Sequence, residues 1–351
     1  MGINIVIEDG FASEKIGGIG RYTLDIIKYL KKNKDFVVFV YKKNIVKKIR
    51  PAFIRRIFYF FWLNTYFILH LKKHKINIVY FTNYMIPVIR LKNVKYVVSI
   101  NDVSPILLHN SKSLLYSLYF KIILKLSVRY ADYITTISYA SKNDILTVIG
   151  KYYNIKVLHI GIDTDNFGRN ISLAKEKIFL YVGSIEKRKN IIYMIKILEK
   201  VIVNTEYKLV ICGRLGFCAN EIIEYINNSN IRKQICLYTD VKDKELINWY
   251  NKSLFFFFPS IYEGFGLPLI EALYFGTQCI AIDNDINREV LGNTGVYICS
   301  NNVDKSAQIV EKYINTYELT EEKYDYIRSR AELFSWKYLI NEYYKFFKEM
   351  V

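Results

Sequence analysis

Two glutamates lie eight positions apart around a glycine-rich turn, in the segment Glu263-Gly264-Phe265-Gly266-Leu267-Pro268-Leu269-Ile270-Glu271. Proline has a fixed φ angle and no amide hydrogen, so Pro268 predicts a helix that begins near Leu267. The free amides and the positive dipole end of such a helix would favour a phosphate group. Glu263 in the turn and Glu271 one turn into the helix could then face the same small volume. This arrangement suits a sugar nucleotide, with amides for its diphosphate and carboxylates for its hydroxyls, although such spacing also arises by chance in α/β proteins.

A basic loop at residues 183–190 follows another apolar run and opens another helical pattern. Arg188 and Lys189 would stand at the carboxyl end of a strand, where an anion can sit. A guanidinium can bridge phosphate oxygens, and an ammonium acts as a point charge. Gly183 opens the loop with a turn, which makes an anion-binding site as plausible as a solvated basic turn. Both interpretations remain open.

A third candidate loop follows the first predicted strand and contains Gly17-Gly18-Ile19-Gly20-Arg21-Tyr22. It is not a dinucleotide-binding fingerprint, because Thr23 occupies the position of the third glycine. Gly18 and Gly20 would instead allow a ligand or an opposing domain to approach the backbone closely.

The elements that position these loops alternate along the whole chain, since short apolar runs are separated by longer helical patterns. This alternation predicts βαβ units and parallel sheets. In the first half, strands are predicted at residues 4–7, 36–41, 78–81, 96–100, 133–137 and 156–159, and helices at 20–31, 52–73, 113–130 and 140–149. In the second half, strands are predicted at 178–182, 207–212, 254–258, 278–282 and 296–299, and helices at 190–203, 244–251 and 267–275, before a mostly helical tail at 303–351.

The polar, turn-rich stretch at residues 161–168 interrupts the alternation, which then restarts. The sequence therefore predicts an α/β protein of two similar domains, in agreement with its length of 351 residues. The predicted boundaries are 1–160 and 161–335, with a last helix at 336–351 that packs back on the first domain. A ligand would bind in the crevice between the domains, at the carboxyl ends of the strands.

The net charge is +17, from 50 basic and 33 acidic residues. Such a balance indicates a nucleic acid, an anionic membrane surface or a phosphorylated substrate as partner, unless the lysines reflect composition alone. No nucleic-acid-binding motif is recognisable. The five cysteines include no C-x-x-C pair and are typical of a reduced cytoplasmic protein. No signal peptide is visible at the start.

Residues 42–75 combine many basic residues with the apolar run at 57–71. That run is shorter than the ~20 residues needed to span a bilayer, so a transmembrane helix is not expected. A basic, aromatic-rich helix can lie in a membrane interface and be drawn to anionic lipid. The alternative is an ordinary buried helix with snorkelling ends.

Six segments, taken in order along nearly the whole chain, resemble the motifs of retaining glycosyltransferase family 4. They are residues 17–22, 101–105, 131–138, 161–167, 181–190 and 259–276. The similarity is greatest to bacterial mannosyl- and related transferases of surface-polysaccharide assembly. It implies the GT-B fold, in which two Rossmann-like domains enclose an interdomain cleft, the first binding the acceptor and the second the nucleotide-sugar donor.

The resemblance also implies roles for individual residues. Arg188 and Lys189 would neutralise the departing diphosphate, and Glu271 would hold the ribose hydroxyls. Glu263, with the backbone of Gly183 and the amides of the turn, would hold the donor sugar and phosphates. The turn residues concerned are Gly264, Phe265, Gly266 and Leu267. Gly18 and Gly20 would let the first domain close on the diphosphate. No metal or other cofactor is expected, because cations and helix amides can stabilise this leaving group.

Two positions depart from the family pattern, and one of them, Gln278 where a proline often follows Gly-Thr, is expected to be a structural change. The other is Asn101, directly before Asp102, which occupies a position where related sequences commonly have histidine. An amide cannot take a proton at neutral pH. If a base is required on the acceptor side, His109 or Asp102 is the substitute to test, and Arg21 is a further candidate there. Otherwise the phosphate oxygen itself would act as base.

The leading hypothesis is therefore retaining, metal-independent transfer of a hexose, with mannose favoured, from a nucleotide diphosphate sugar to a glycan. The acceptor would be lipid-linked and the enzyme cytoplasmic, on the inner face of the membrane. Two alternatives remain: a non-catalytic protein that binds polyanions or membranes, and a sugar-nucleotide epimerase of the same fold.

Overall fold

The computed structural model describes residues 2–8, 17–41, 52–108, 114–151, 153–167 and 173–351. The predicted acceptor-side His109 and the basic stretch 42–51 lie outside these ranges. The chain divides into two compact units. Unit 1 comprises Met1–Gly161 and Trp336–Val351, and unit 2 comprises Ile162–Ser335.

The strands of unit 1 are β1 (Ile3–Glu8), β2 (Phe36–Tyr41), β3 (Ile78–Phe81), β4 (Lys95–Ser99), β5 (Tyr133–Thr136) and β6 (Ile155–Val157). Within the described ranges they form one parallel sheet of order β2-β1-β3-β4-β5-β6. Every residue of β3 is buried, and so are the last four of β4. Helices cover both faces of a parallel sheet, which explains why these strands are continuous apolar runs.

The helices of unit 1 are α1 (Gly17–Leu30), α2 (Ala52–Trp62), α3 (Ile68–Leu71), α4 (Ser104–Leu107), α5 (Leu114–Tyr130) and α6 (Tyr139–Ile149). A π-helical turn at Leu63–Phe67 joins α2 to α3. The predicted helix at 52–73 is therefore one helical stretch with a wider turn inside it. The prediction for α1 was wrong by three residues, because Gly17 and Gly18 belong to the helix rather than to a preceding loop.

The strands of unit 2 are β7 (Glu176–Val182), β8 (Lys208–Cys212), β9 (Ile235–Tyr238), β10 (Ser253–Phe258), β11 (Gln278–Ile282) and β12 (Val296–Ile298). In this part of the described chain they form a parallel sheet of order β12-β11-β10-β7-β8-β9. The central strand β10 is almost wholly buried, because four consecutive phenylalanines fill it. Its neighbours are β7 and β11.

The helices that follow are α7 (Ile191–Val201), α8 (Ala219–Asn228), α9 (Asp243–Lys252), α10 (Leu267–Tyr274), α11 (Asp285–Leu291), α12 (Val303–Thr316), α13 (Glu321–Glu332) and α14 (Trp336–Lys348). The sequence prediction omitted α8, β9 and α11. α11 has only seven residues, and β9 lies at the edge of the sheet, where only its first residue is buried and the apolar pattern is weak.

The last helix, α14, completes the core of unit 1. Trp336 is fully buried, its indole NH donates to Asp25 Oδ2 at 3.0 Å, and its ring stacks near those of Tyr22 and Tyr29. The hydroxyl of Tyr343 donates to the carbonyl oxygen of residue 159 at 3.0 Å. These contacts tie the end of the chain to α1 and to the segment after β6.

Candidate functional site

The glycine-rich turn opens a helix at the predicted residue. α10 begins at Leu267, directly after Gly266, whose φ of 108° and ψ of 49° lie in the left-handed region that favours glycine. Pro268 occupies the first turn, as its missing amide hydrogen requires. The prediction of a helix start here is confirmed. Phe265 turns its ring inward onto Phe334, so its side chain does not face a ligand.

Glu263 lies in this turn and binds both cations of the basic loop. Its carboxylate forms an ion pair with Lys189, and its Oε2 lies 3.3 Å from Nη1 of Arg188. Burial by itself would raise the pKa of the Glu263 carboxyl. The charges of Lys189 and Arg188 outweigh that effect, so the pKa lies below its usual value. The three side chains therefore form a partly buried group of mixed charge.

The basic loop is fixed by its own turn and by a second acid. Residues Lys187–Lys189 form a single 3₁₀ turn, which Asn190 ends in the left-handed conformation. Nε of Arg188 lies 2.7 Å from Oε1 of Glu186, and Nη1 donates to the carbonyl oxygen of Tyr262 at 3.4 Å. Because β7 and β10 are parallel neighbours, the loops after them emerge at the same edge of the sheet. This strand order brings residues 74 or 75 positions apart into contact.

Glu271, the second carboxylate of the motif, has a different partner. It is 4% exposed, and its Oε2 accepts a hydrogen bond from the Tyr250 hydroxyl at 2.8 Å. Tyr250 belongs to α9 and stacks on Phe275, with ring centroids 6.0 Å apart and planes 4° from parallel. The structure thus holds Glu263 by the basic loop and Glu271 by a buried tyrosine.

The loop after β8, which the sequence analysis did not include, packs against the basic loop. A Cβ atom added to Gly213, directly after β8, would lie 1.6 Å from the carbonyl oxygen of Gly183. The amide of Ile185 donates to the carbonyl oxygen of Arg214 at 2.8 Å, and that of Gly216 donates back to Ile185 at 3.0 Å. Only glycine permits this approach. The signal that could have found it is the pair of glycines at the carboxyl end of a predicted strand.

The candidate residues of unit 1 lie in two places. Gly18 is exposed and Gly20 is buried, both in the first turn of α1, with the half-buried Arg21 beside them. Asn101 is mostly buried after β4, where its Oδ1 accepts from the Ser99 hydroxyl at 2.7 Å. The roles of these residues toward an acceptor stay predictions.

Asp102 holds the start of a short helix. Its Oδ1 accepts hydrogen bonds from the amide and the hydroxyl of Ser104, at 2.9 and 2.6 Å, where α4 begins. Asx turns of this kind commonly stabilise the first turn of a helix. One oxygen of the proposed substitute base is therefore already engaged. His109, the other substitute, is outside the described residues.

Two kinds of feature are absent from the described part of the chain. Among these residues, no three His, Cys, Asp or Glu side chains come together in a way that could hold a metal ion. Within the same ranges, no helix combines the length and the apolarity that crossing a bilayer requires.

Known proteins resemble the chain in sequence over both units. The sequence model of Glycosyltransferase Family 4 matches residues 16–166, and that of Glycosyl transferases group 1 matches residues 163–332. The O-antigen chain mannosyltransferase RfbU of Salmonella typhimurium is 29% identical over 221 residues, 62% of this chain and 59% of that protein. The O-antigen chain mannosyltransferase B of Escherichia coli is 30% identical over 142 residues, 40% of this chain and 37% of that protein. The alignments thus span less than two thirds of these relatives.

Solved structures resemble the chain more completely, at low sequence identity. Sucrose-phosphate synthase from Thermosynechococcus elongatus matches with a TM-score of 0.80 and 15% identity, over 99% of each chain. A likeness at this identity concerns the fold, in which two parallel sheets are flanked by helices. Because the two family models together match residues 16–332 and the fold is GT-B, the chain belongs to glycosyltransferase family 4.

Proposed function

We propose that the protein transfers a hexose, with mannose favoured, from a nucleotide diphosphate sugar to a glycan or lipid-linked glycan in surface-polysaccharide biosynthesis. The observation that carries this proposal is the convergence of Arg188, Lys189 and Glu263 beside the start of α10. Two cations and a helix N-terminus suit a diphosphate, and an adjacent carboxylate suits sugar hydroxyls. The names of the two O-antigen mannosyltransferases support mannose as the sugar.

In the proposed reaction, the bond between the anomeric carbon and the diphosphate oxygen breaks while the acceptor hydroxyl forms the new glycosidic bond. Negative charge grows on the departing phosphate, where Arg188, Lys189 and the first amides of α10 would stabilise it. These groups could supply the stabilisation that a metal ion supplies elsewhere. Glu271 would bind the ribose hydroxyls.

We propose retention of configuration at the anomeric carbon, with the acceptor attacking the face that the diphosphate leaves. The acceptor proton would pass to the departing phosphate oxygen. This route requires no protein base, which suits the amide of Asn101 and the engagement of Asp102 by Ser104. Asn101 would then hydrogen-bond a hydroxyl of the sugar or of the acceptor.

A thermal-shift screen with GDP-, UDP-, dTDP- and ADP-sugars tests donor binding, because a ligand of the folded state raises its melting temperature. We expect one nucleotide series to stabilise the protein and to be hydrolysed slowly without acceptor. Arg188→Ala and Glu271→Ala should abolish the shift. Lys187→Ala is the matched control, since it removes an equal charge from the exposed position of the same turn.

An unchanged shift in both site variants would overturn the assignment of the donor site. A shift with no sugar transfer, but with conversion of the donor into its epimer, would favour the epimerase alternative. Tight, salt-sensitive binding of duplex DNA without any nucleotide-sugar shift would favour the polyanion-binding alternative. Retention is checked by the anomeric configuration of the product in a nuclear magnetic resonance spectrum.

A further inference from the structure

An exposed apolar stripe runs along α2. Ile54, Ile57, Phe58 and Phe61 are each between 38% and 62% exposed. Their spacing of three, four and seven residues places them on one face of the helix. Another face of the helix carries the buried Tyr59 into the core of unit 1. The stripe is therefore not an outer part of the core but a separate apolar surface.

The π-helical turn extends this stripe toward α3. Tyr66 and Leu69 are 57% and 58% exposed, and they follow Phe61 by five and eight residues. A spacing of five residues would leave the stripe in a regular α-helix, whereas the wider π-helical turn, with hydrogen bonds between residues five apart, brings Tyr66 nearer to it. Asn64 fixes this turn, since its Oδ1 accepts from the amide of Val88 at 2.8 Å and its Nδ2 donates to the carbonyl oxygen of Phe60 at 2.8 Å.

A second exposed apolar stripe lies on α5. Leu115, Leu118 and Ile122 are between 51% and 79% exposed and share one face by the same spacing rule. The two helices are in contact, because the guanidinium of Arg56 on α2 lies 4.4 Å from the ring centroid of Tyr116 on α5.

The charges within the two helical segments have a single sign. Residues 52–75 and 114–130 contain no Asp or Glu. The exposed basic residues of these two segments are Arg55, Lys72, Lys73, Lys75, Lys121, Lys125 and Arg129. A soluble polyanion would pair with the basic residues but would leave the apolar stripes exposed to water. An anionic lipid bilayer accommodates both, because its headgroups attract the bases and its acyl boundary takes up the apolar side chains.

We propose that α2 through α3 and α5 together form a membrane-binding face, which docks unit 1 on the surface of an anionic lipid bilayer. The face consists of the two apolar stripes and the basic residues around them. This inference rests on the proposed function, since a lipid-linked acceptor would be presented at such a surface. It goes further in assigning the contact to two helices and in giving the π-helical turn a role in their alignment.

The test is co-sedimentation with vesicles of phosphatidylcholine alone and of an equimolar mixture with phosphatidylglycerol. We expect binding to the mixed vesicles, weaker at high salt. Phe58→Ser/Phe61→Ser on α2 and Leu115→Ser/Leu118→Ser on α5 should each reduce the partition coefficient about tenfold or more, since each removes two insertable apolar side chains. Tyr326→Ser/Leu333→Ser is the matched control, because these residues are comparably exposed on unit 2 and should not matter.

If both double variants partition like the wild type, the proposed membrane-binding face is wrong. A loss of binding confined to the α2 variant would also contradict the proposal, because α5 would then take no part in the contact. Capture by duplex DNA with no binding to mixed vesicles would also overturn it. The thermal shift induced by the donor distinguishes failure of the membrane-binding proposal from failure of the proposed function. All three double variants should keep that shift, whereas a protein that binds vesicles but no donor would refute the function and leave the face intact.

Discussion

The ammonium group of Lys189 and the carboxylate of Glu263 form an ion pair between the loop after β7 and the loop after β10. Each side chain is only 12% exposed. The carboxylate thus neutralises part of the positive charge that a diphosphate would use. In the proposed donor site a bound diphosphate would share these cations with Glu263, so the charge of this one carboxylate would set how strongly the site attracts a bare nucleotide.

The first prediction concerns Glu263→Gln, which removes that competing charge and keeps the shape of the side chain. We expect the affinity for the nucleoside diphosphate product to rise about fivefold, because about 1 kcal/mol of repulsion is relieved. Sugar transfer should fall sharply, since the carboxylate that would hold the donor sugar is lost. Isothermal titration with the nucleoside diphosphate and a transfer assay measure the two effects.

Glu206→Gln is the control, because it makes the same change in net charge at the exposed Lys177–Glu206 ion pair. It should alter neither the affinity for the nucleoside diphosphate nor sugar transfer. Weaker nucleoside diphosphate binding by Glu263→Gln would show that Glu263 organises the cations rather than competing with the anion for them.

The second prediction concerns Tyr250→Phe, which deletes the hydroxyl that donates to Glu271. The buried carboxylate then lacks this donor, so we expect a loss of about 1–3 kcal/mol in the free energy of unfolding. The KM for the donor should rise, because Glu271 would no longer be oriented. Tyr225→Phe is the control, since it deletes a similar hydrogen bond, to Glu199 at 2.9 Å, away from α10. Equal KM values in the two variants would contradict a positioning role for Tyr250.

The third prediction concerns Gly213→Ala. The added methyl group would collide with the carbonyl oxygen of Gly183, which is backbone and cannot rotate away. We expect a loss of about 3 kcal/mol in stability, together with weaker donor binding as the basic loop shifts. Gly2→Ala is the control, because its methyl group would meet neighbours no closer than 3.4 Å. Urea denaturation of both variants measures the difference, and a Gly213→Ala protein as stable as the control would refute the close approach.

The fourth prediction concerns the half-buried Lys175, just before β7. Its Nζ donates to the carbonyl oxygens of Phe275 at 2.7 Å and Tyr250 at 3.3 Å, and to Thr277 Oγ1 at 3.2 Å. Burial lowers the pKa of Lys175 from its usual 10.5 to about 7. Between these two values the unfolded chain binds the extra proton, so this lysine makes stability rise with pH, by up to about 1.4 kcal/mol per pH unit.

Lys175→Met should remove this contribution to the rise of unfolding free energy with pH between pH 7.5 and 9.5. Urea unfolding of wild type and variant in parallel measures the rise. Lys177→Met, at an exposed position two residues further along the chain, should keep the wild-type slope. An identical slope in Lys175→Met and wild type would mean that Lys175 remains charged in the folded protein.

The secondary structure near the site was largely predictable, because local residue chemistry determines it. Gly266 and Pro268 define the start of α10, and the buried β3 and β11 have their predicted bounds. The predictions failed where local signals are weak. α8 is a short helix that follows Cys218 in the left-handed conformation, where a glycine or asparagine would be the usual signal.

The contacts within the site were less predictable, since they depend on strand order. The sequence places Arg188, Lys189 and Glu263 each after an apolar strand, and they meet because β7 and β10 are neighbours in the sheet. Nothing local shows that Tyr250 would reach Glu271. Such pairings are decided by how α9 and α10 pack, which involves residues far apart in the chain.

The division of unit 1 into two chain segments has a consequence for synthesis on the ribosome. Residues 162–335 are contiguous, whereas unit 1 also needs residues 336–351. Trp336, Tyr343 and Phe347 are fully buried, and Phe347 packs against Tyr80 with ring centroids 5.3 Å apart. Domains made of contiguous residues can fold as units while translation continues. Unit 1 therefore cannot complete its core until residues 336–351 have been synthesised, and a chain that stops before residue 336 leaves the aromatic partners of that helix, among them Tyr80, exposed.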